Sequence, residues 1–361
     1  MDKGLKSMGI NLVDNLLYEE DLKQMADSDI PWEKLKGKRI LIAGATGMIG
    51  KCLIDLIMYK NDKSDLNCRL TVFSRNGKTA RKRFNPGYFE APFFEYRCHD
   101  ICEPWEASIG EEYDYIINMA SNTHPVAYLE KPIDTIWANV MGTRNMLDLC
   151  TLNPATRFVL TSSVEIYGEN RNDVEFFDEK YLGYIDSNTL RAGYPESKRL
   201  CEALCQAYIK EKGIEAAIVR LPRVFGPTMS EKDSKAVAQF IKKAVKGEKI
   251  VLKSEGLQHY SFLYVADAVM GVLTVMLKGT SGEAYNVADS SCDGLLKNAA
   301  EICADEGGTN VVFELPDEVE KAGYSTATKA LLDGTKIKEL GWNPNYTFEK
   351  GLRRTIKALK I

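Results

Sequence analysis

Tyr194 and Lys198 stand four residues apart in the run Tyr194-Pro-Glu-Ser-Lys198, the spacing that puts two side chains on one face of a helix. A tyrosine with its ordinary pKa of about 10 is a poor base at neutral pH. An ammonium one turn away, together with a positively charged hydride acceptor, favours the phenolate. A phenolate so held accepts the proton of a hydroxyl group while hydride leaves the same carbon. Ser163, in Leu160-Thr-Ser-Ser163-Val-Glu165-Ile-Tyr167-Gly168, supplies a hydroxyl for the carbonyl oxygen that then develops. Glu165 adds a carboxylate that the oxidation itself does not need. Tyrosine and lysine at this spacing also occur on ordinary amphipathic helices, so the reading depends on the elements that position them.

The hydride acceptor has a place in the sequence. Arg39-Ile-Leu-Ile-Ala43 is an apolar run of strand length, followed at once by Gly44-Ala-Thr46-Gly47-Met48-Ile49-Gly50 and a helical stretch over 51–59. In that context Gly44 permits a tight turn, Gly47 admits a pyrophosphate to the backbone, and Gly50 lets the helix lie on the sheet. The first N–H groups of the helix meet the phosphates. At the end of the next strand an acidic residue favours NAD, whereas arginine accommodates the additional phosphate of NADP. Here the residues are Phe73-Ser74-Arg75-Asn76, with no acid. The charge at Arg75 favours NADP and leaves NAD open.

The remaining elements alternate. Residues 70–73, 113–117, 158–160 and 216–219 read as strands, with helices over 132–150 and 195–212 between them. That order predicts an α/β fold, a Rossmann doubly wound parallel sheet with a smaller C-terminal α/β substrate domain. The expected division is a helical N-terminal extension over 1–37, serving packing or dimer contact. A dinucleotide-binding domain follows over 38–221, with return segments near 258–288, and a substrate-binding domain over 222–257 and 289–361. A helix is expected at 235–246, a strand at 262–265 and a helix at 266–277.

Composition narrows the function classes. The chain has 361 residues, 45% hydrophobic and 27% charged, with net charge −4 and one basic cluster at Arg81-Lys82-Arg83. This argues against nucleic acid as a partner. No apolar run is long enough to span a bilayer. The first twenty residues lack the pattern of a secretory signal, so a cytoplasmic protein is expected. The nine cysteines form no CxxC pair, and reduced thiols without a metal site are expected.

Taken together, the glycine turn, the Ser163 segment and the Tyr194/Lys198 pair resemble the extended short-chain dehydrogenase/reductase family, in particular its sugar-nucleotide epimerases, dehydratases and decarboxylases. The resemblance spans nearly the whole chain after residue 37. It also covers Asp100-Ile101 beside the adenine, Ala120-Ser121 by the nicotinamide ribose, Asn139 with Gly142-Thr143, Arg220-Leu221, Leu340-Gly-Trp-Asn-Pro344 and Gly351-Leu352. It implies transient oxidation of a nucleotide sugar at C4, later return of the hydride, and a homodimer joined through helices 132–150 and 195–212. Glu165 matches the glutamate that dehydratases and decarboxylases carry, and would assist chemistry at C5 and C6. Val164 replaces the aspartate of dTDP-glucose-type dehydratases, while GDP-mannose-type dehydratases lack that aspartate as well. Arg191 and Lys198-Arg199 are similar to UDP-glucuronate decarboxylases.

Some substrate-side residues depart from the family pattern. Arg223 stands where an asparagine is common, Thr228 where an arginine follows Gly-Pro, and Tyr260 where an arginine usually clamps the pyrophosphate. Arg223 is either the replacement charge or a structural ion-pair residue. Thr123 and His124 follow a sheet strand on the substrate side, where His124 either faces the sugar or serves as a structural histidine, whereas His99 is expected to pack. The readings carried forward are an epimerase or dehydratase with Glu165 assisting, a UDP-glucuronate-type decarboxylase, a net NADPH-dependent ketosugar reductase, and a non-catalytic cofactor-binding scaffold.

Overall fold

The computed structural model describes residues 12–106, 112–123, 130–153, 155–314 and 328–360. Strands β1 (Arg39–Ala43), β2 (Arg69–Ser74), β3 (Phe94–Cys98), β4 (Tyr115–Asn118), β5 (Arg157–Ser163) and β6 (Glu215–Leu221) are joined by a later strand, β10 (Ala284–Asn286). They form one sheet in the order β3-β2-β1-β4-β5-β6-β10. Every pairing in it is parallel. The strand order reverses between β1 and β4, and the crevice beyond their carboxyl ends is where open α/β sheets bind ligands.

Strand β1 shows why the sheet needs cover on both sides. Ile40 and Ile42 enter one hydrophobic cluster, whereas Leu41 and Ala43 enter the other. That is the two-residue alternation of a strand buried on both faces. Helices α1 (Leu16–Ala26), α2 (Met48–Ser64) and α7 (Val265–Lys278) cover the first face. Helices α4 (Pro132–Cys150) and α5 (Gly193–Lys212) pack together over the second. Helix α3 (Gly77–Arg83) carries the basic cluster.

Within the N-terminal segment, α1 is held by polar contacts to distant parts of the chain. Asn15 caps it by accepting from the Tyr18 N–H and gives its own amide to the Ala358 carbonyl at 2.7 Å. Buried Asp21 accepts hydrogen bonds from the Tyr264 and Tyr346 hydroxyls and from Arg354. Tyr18 donates to Asp55 on α2 at 2.7 Å.

The second layer of strands is smaller. Strand β7 (Arg223–Phe225) pairs in parallel with β9 (His259–Tyr264), so that Arg223 lies opposite Phe262. Strand β9 also pairs with β11 (Asp293–Leu295) and β13 (Lys329–Ala330). Of the segment 258–288, therefore, β10 lies in the large sheet and β9 is the central strand of the small one. Strands β8 (Ile250–Leu252) and β12 (Val311–Phe313) form a parallel pair. Helices α6 (Ala236–Lys246), α8 (Leu296–Gly307) and Phe348–Lys360 pack on one another beside these strands. Among the described residues no helix is long and apolar enough to cross a membrane. No cluster of three or more His, Cys, Asp or Glu side chains able to hold a metal occurs there either.

Candidate active site

The glycine turn leaves no room for side chains. Gly44 has φ +77°, and a Cβ there would sit 2.6 Å from the backbone of Met119 and Ala120. A Cβ on Gly50 would lie 2.6 Å from the Gly44 carbonyl oxygen. Gly47 caps α2 without a side-chain hydrogen bond. The first-turn N–H groups of Met48, Ile49 and Gly50 thus face the turn without a side-chain cap. Arg83 braces the arrangement from below, donating to the Thr46 carbonyl at 3.2 Å, to Thr228 at 2.5 Å and to Met229 at 3.3 Å. The fully buried Thr228 hydroxyl donates to the Met48 carbonyl at 2.9 Å. Thr228, noted in the sequence as a missing arginine, here ties the turn to the loop after β7. Arg83 was visible only as part of a basic cluster.

Around the turn, Ser74 and Tyr96 share a hydroxyl contact at 3.2 Å. Exposed Arg75 reaches Asn122 at 3.3 Å, which places it across the switch point of the sheet. Asp100 accepts from the Cys102 N–H, and Ile101 is buried against Gly142. Ala120 donates to Asn118 at the end of β4. The buried amide oxygen of Asn139 has no hydrogen-bond partner among the described residues. A glycine cradle that any Cβ would fill, together with an orphaned polar atom beside it, fits a dinucleotide.

The reacting groups come from two element ends. Ser163 is the last residue of β5, and its hydroxyl accepts from the Glu165 N–H at 3.2 Å in the short turn that follows. Leu221, buried at the end of β6, is its partner in register. Tyr194 and Lys198 lie on the first turns of α5, both buried. Burial pushes the Tyr194 phenol well above its ordinary pKa, and the nearby Glu165 charge adds to this. The hydroxyls of Ser163 and Ser121 act in the opposite direction.

Lys198 stands one turn along α5 from Tyr194 and is buried with it. Its Nζ donates to the Thr161 carbonyl at 2.8 Å, because a buried ammonium needs an acceptor and the end of β5 offers one. Burial lowers its pKa, while Glu202 one turn further on opposes the shift. Asn139 donates to Ser197 at 2.8 Å, and Ser197 donates to the Tyr194 carbonyl at 2.8 Å, so α4 fixes the first turn of α5. Glu202 binds Ser162 at 2.6 Å and Arg220 at 2.6 Å, which locks β5 to β6 beneath the site. Ser197, Ser162 and Glu202 carried no recognisable sequence signal of their own.

Beside these groups stands a charged pair. Arg223 Nη2 is 3.6 Å from Glu165 Oε1, and its guanidinium lies over the Tyr260 ring at 3.5 Å. Arg191 is half-buried on the turn preceding α5, and Thr123 is half-buried after β4. His124 lies outside the described residues. Ser163, Glu165, Tyr194, Arg223 and Tyr260 therefore form one contiguous group, with Lys198 anchored to the Thr161 carbonyl on β5. A site so arranged can take a proton from a hydroxyl, polarise the resulting carbonyl and present both signs of charge near the next carbon.

Residues 40–288 match the model of a family described as the NAD dependent epimerase/dehydratase family. The chain is similar to UDP-glucuronic acid decarboxylase 1 of Xenopus tropicalis, at 32% identity over 321 residues, 88% of this chain and 71% of that protein. It is similar to UDP-glucuronic acid decarboxylase 6 of Arabidopsis thaliana, at 31% identity over 317 residues, 87% of this chain and 86% of that protein. Among solved structures, a UDP-glucuronic acid 4-epimerase from Bacillus cereus in complex with UDP-glucuronic acid and NAD has a TM-score of 0.75 at 19% identity. That likeness covers 89% of this chain and 99% of the other. A UDP-glucose 4-epimerase from Thermotoga maritima has a TM-score of 0.74 at 20% identity, covering 89% and 98%. At these identities the structural likeness speaks for the fold.

Proposed function

We propose that this chain, which belongs to the NAD dependent epimerase/dehydratase family, oxidises a nucleotide sugar at C4 and releases the C6 carboxylate as carbon dioxide. The observation that carries the choice is the Glu165–Arg223 pair beside Tyr194 and Ser163. Simple C4 epimerisation needs only rotation of the ketosugar and has no use for a second pair of charges. The curated relatives named UDP-glucuronic acid decarboxylases support the same branch.

In this reading Tyr194 takes the C4 hydroxyl proton and later returns it, and Ser163 donates a hydrogen bond to the C4 oxygen. When bound, the nicotinamide supplies the reversible hydride acceptor for C4. A ketone at C4 is β to the C6 carboxylate, so the C5–C6 electron pair passes to the C4 oxygen as carbon dioxide leaves. A proton from water then adds at C5, where Glu165 supplies charge, and hydride returns to C4 as Tyr194 gives its proton back to the C4 oxygen. Lys198, which donates to the Thr161 carbonyl, would hold the cofactor ribose. Gly44, Thr46, Gly47, Met48, Ile49 and Gly50 would hold the diphosphate. Ser74 and Arg75 would hold the adenosine ribose, Asp100 and Ile101 the adenine, and Ala120, Ser121, Asn139 and Leu221 the nicotinamide end. The absence of an acid after β2 and the exposed Arg75 support NADP over NAD.

The reading assigns residues 38–221 to the cofactor and 222–257 with 289–361 to the sugar nucleotide, with Thr123, His124, Arg191, Arg223 and Tyr260 on the substrate side. It includes a cytoplasmic homodimer. Ile133 and Trp137 on α4 and Leu200 on α5 are 67%, 52% and 48% exposed, an apolar face that a second copy would cover. The test is incubation with UDP-glucuronate followed by product mass. Loss of carbon dioxide is expected, with kcat reduced about 100- to 10,000-fold in Tyr194→Phe. Loss of water, or an isomer of unchanged mass, overturns the decarboxylation.

A further inference from the structure

Arg223 is a donor fork with one nitrogen, Nη1, buried and without a hydrogen-bond partner among the described residues. Its Nη2 faces Glu165 at 3.6 Å, ion-pair distance but beyond a hydrogen bond. The guanidinium plane rests on the Tyr260 ring at 3.5 Å, so the ring occupies one face and leaves the N–H edge available. Tyr260 is itself buried within β9, which keeps that platform fixed. A planar cation held by stacking, with its edge free, matches the two oxygens of a carboxylate in parallel hydrogen bonds.

Two anionic groups on a nucleotide sugar have this chemistry, the diphosphate and a carboxylate on the sugar. Position separates them. Glu165 is two residues from Ser163 and raises the pKa of the Tyr194 phenol through its charge, so it lies at the reacting end of the site. Arg223 faces Glu165 and shares that end.

We propose that Arg223, stacked on Tyr260, is the specificity-determining residue that recognises the C6 carboxylate of a nucleotide-linked hexuronic acid, which takes the place opposite the guanidinium that Glu165 now holds. This rests on the decarboxylase reading and names the residue that selects an acidic over a neutral sugar. A neutral hexose would leave the fork facing a hydroxymethyl group, with its buried donor still unmet.

The experiment compares equilibrium binding of UDP-glucuronate, UDP-glucose and UDP by calorimetry, using the cofactor-loaded wild type, Arg223→Gln, Arg223→Lys and Tyr260→Phe. Wild type should prefer UDP-glucuronate. Arg223→Gln should lose about 10- to 100-fold of that affinity, while UDP-glucose and UDP bind as before. Arg223→Lys should recover only part, because an ammonium is a point charge without a fork. Tyr260→Phe keeps the ring and should keep the preference. Equal weakening of all three ligands would assign Arg223 to the diphosphate and overturn the proposal, as would no change in any. Wild type that prefers UDP-glucose overturns it together with the decarboxylase reading. Selective loss in an enzyme that releases no carbon dioxide upholds the Arg223 assignment and sinks only the decarboxylation. Melting curves identify a misfolded Arg223→Gln, in which case Arg223→Lys carries the same comparison.

Discussion

Neutralising Glu165 should make Tyr194 a stronger competitor for its own deprotonation. The buried phenol is held above its ordinary pKa by desolvation first, with the Glu165 charge as a further cause. At present Arg223, 3.6 Å from Glu165, offsets part of that charge. Glu165→Gln removes the repelling carboxylate, which favours the phenolate. A unit charge on the order of 6 Å away at an effective dielectric of about 20 is worth roughly 3 kcal/mol. Glu165 is 36% exposed on its side chain, so solvent screening reduces this to about half, equivalent to roughly one pH unit. In the proposed reaction Tyr194 is the base, so the rate of oxidation should rise with pH as the phenol ionises. In Glu165→Gln that rising limb should therefore move about one pH unit toward acid. The assay is single-turnover reduction of bound cofactor by UDP-glucuronate, followed at 340 nm, which isolates oxidation from later steps. Arg223→Gln leaves Glu165 uncompensated and should move the limb toward alkali. A limb that stays in place in Glu165→Gln, or moves with the same sign in both variants, refutes the electrostatic reasoning.

Gly50→Ala places a methyl group 2.6 Å from the Gly44 carbonyl and 2.9 Å from that of Ala45. It should cost about 1–3 kcal/mol in thermal unfolding and lose cofactor retention on gel filtration, and a stable, cofactor-loaded variant would contradict the cradle. Arg75→Ala should weaken NADP binding about tenfold and leave NAD binding unchanged in a fluorescence titration, and parallel loss of both would remove the case for a phosphate contact. Trp137→Glu introduces a charge on the exposed face of α4 and should convert a dimer to monomer in light scattering. A dimer that persists locates the interface elsewhere.

What could be read from the chain alone follows from the range of the forces involved. The 132–150 helix was legible to its ends, because Pro132 suits a first helical turn and the apolar spacing persists to Cys150. The βα turn was legible because three glycines and an apolar strand are adjacent in sequence. The small sheet was not. Residues 259–264 have the apolar character of a strand, but nothing local states that their neighbours are 223–225, 293–295 and 329–330. Lys198 illustrates the same limit within the site. Its spacing from Tyr194 was plain, but its acceptor, the Thr161 carbonyl, is a backbone atom on another element and has no sequence signature.

Tyr260 and Arg223 show how two residues that look unrelated in one dimension become partners in three. Read along the chain, Arg223 stands 37 positions before Tyr260, with nothing to connect the two. The β7–β9 pairing connects them. Arg223 lies opposite Phe262, and Tyr260 is two residues along β9, on the same face as Phe262 in a pleated strand. Such diagonal neighbours are within reach of long and aromatic side chains. The Arg223 guanidinium thus lies across one strand spacing from β9, with the Tyr260 ring beneath it at 3.5 Å. That position also brings the charge to Glu165, at the end of β5 where Ser163 stands. Without Arg223, Glu165 would be an unbalanced negative charge beside the Tyr194 phenol, which the proposed reaction deprotonates. Arg223 and Tyr260 therefore form one unit, and Arg223→Gln combined with Tyr260→Leu should lose less UDP-glucuronate affinity than the two single changes predict by addition.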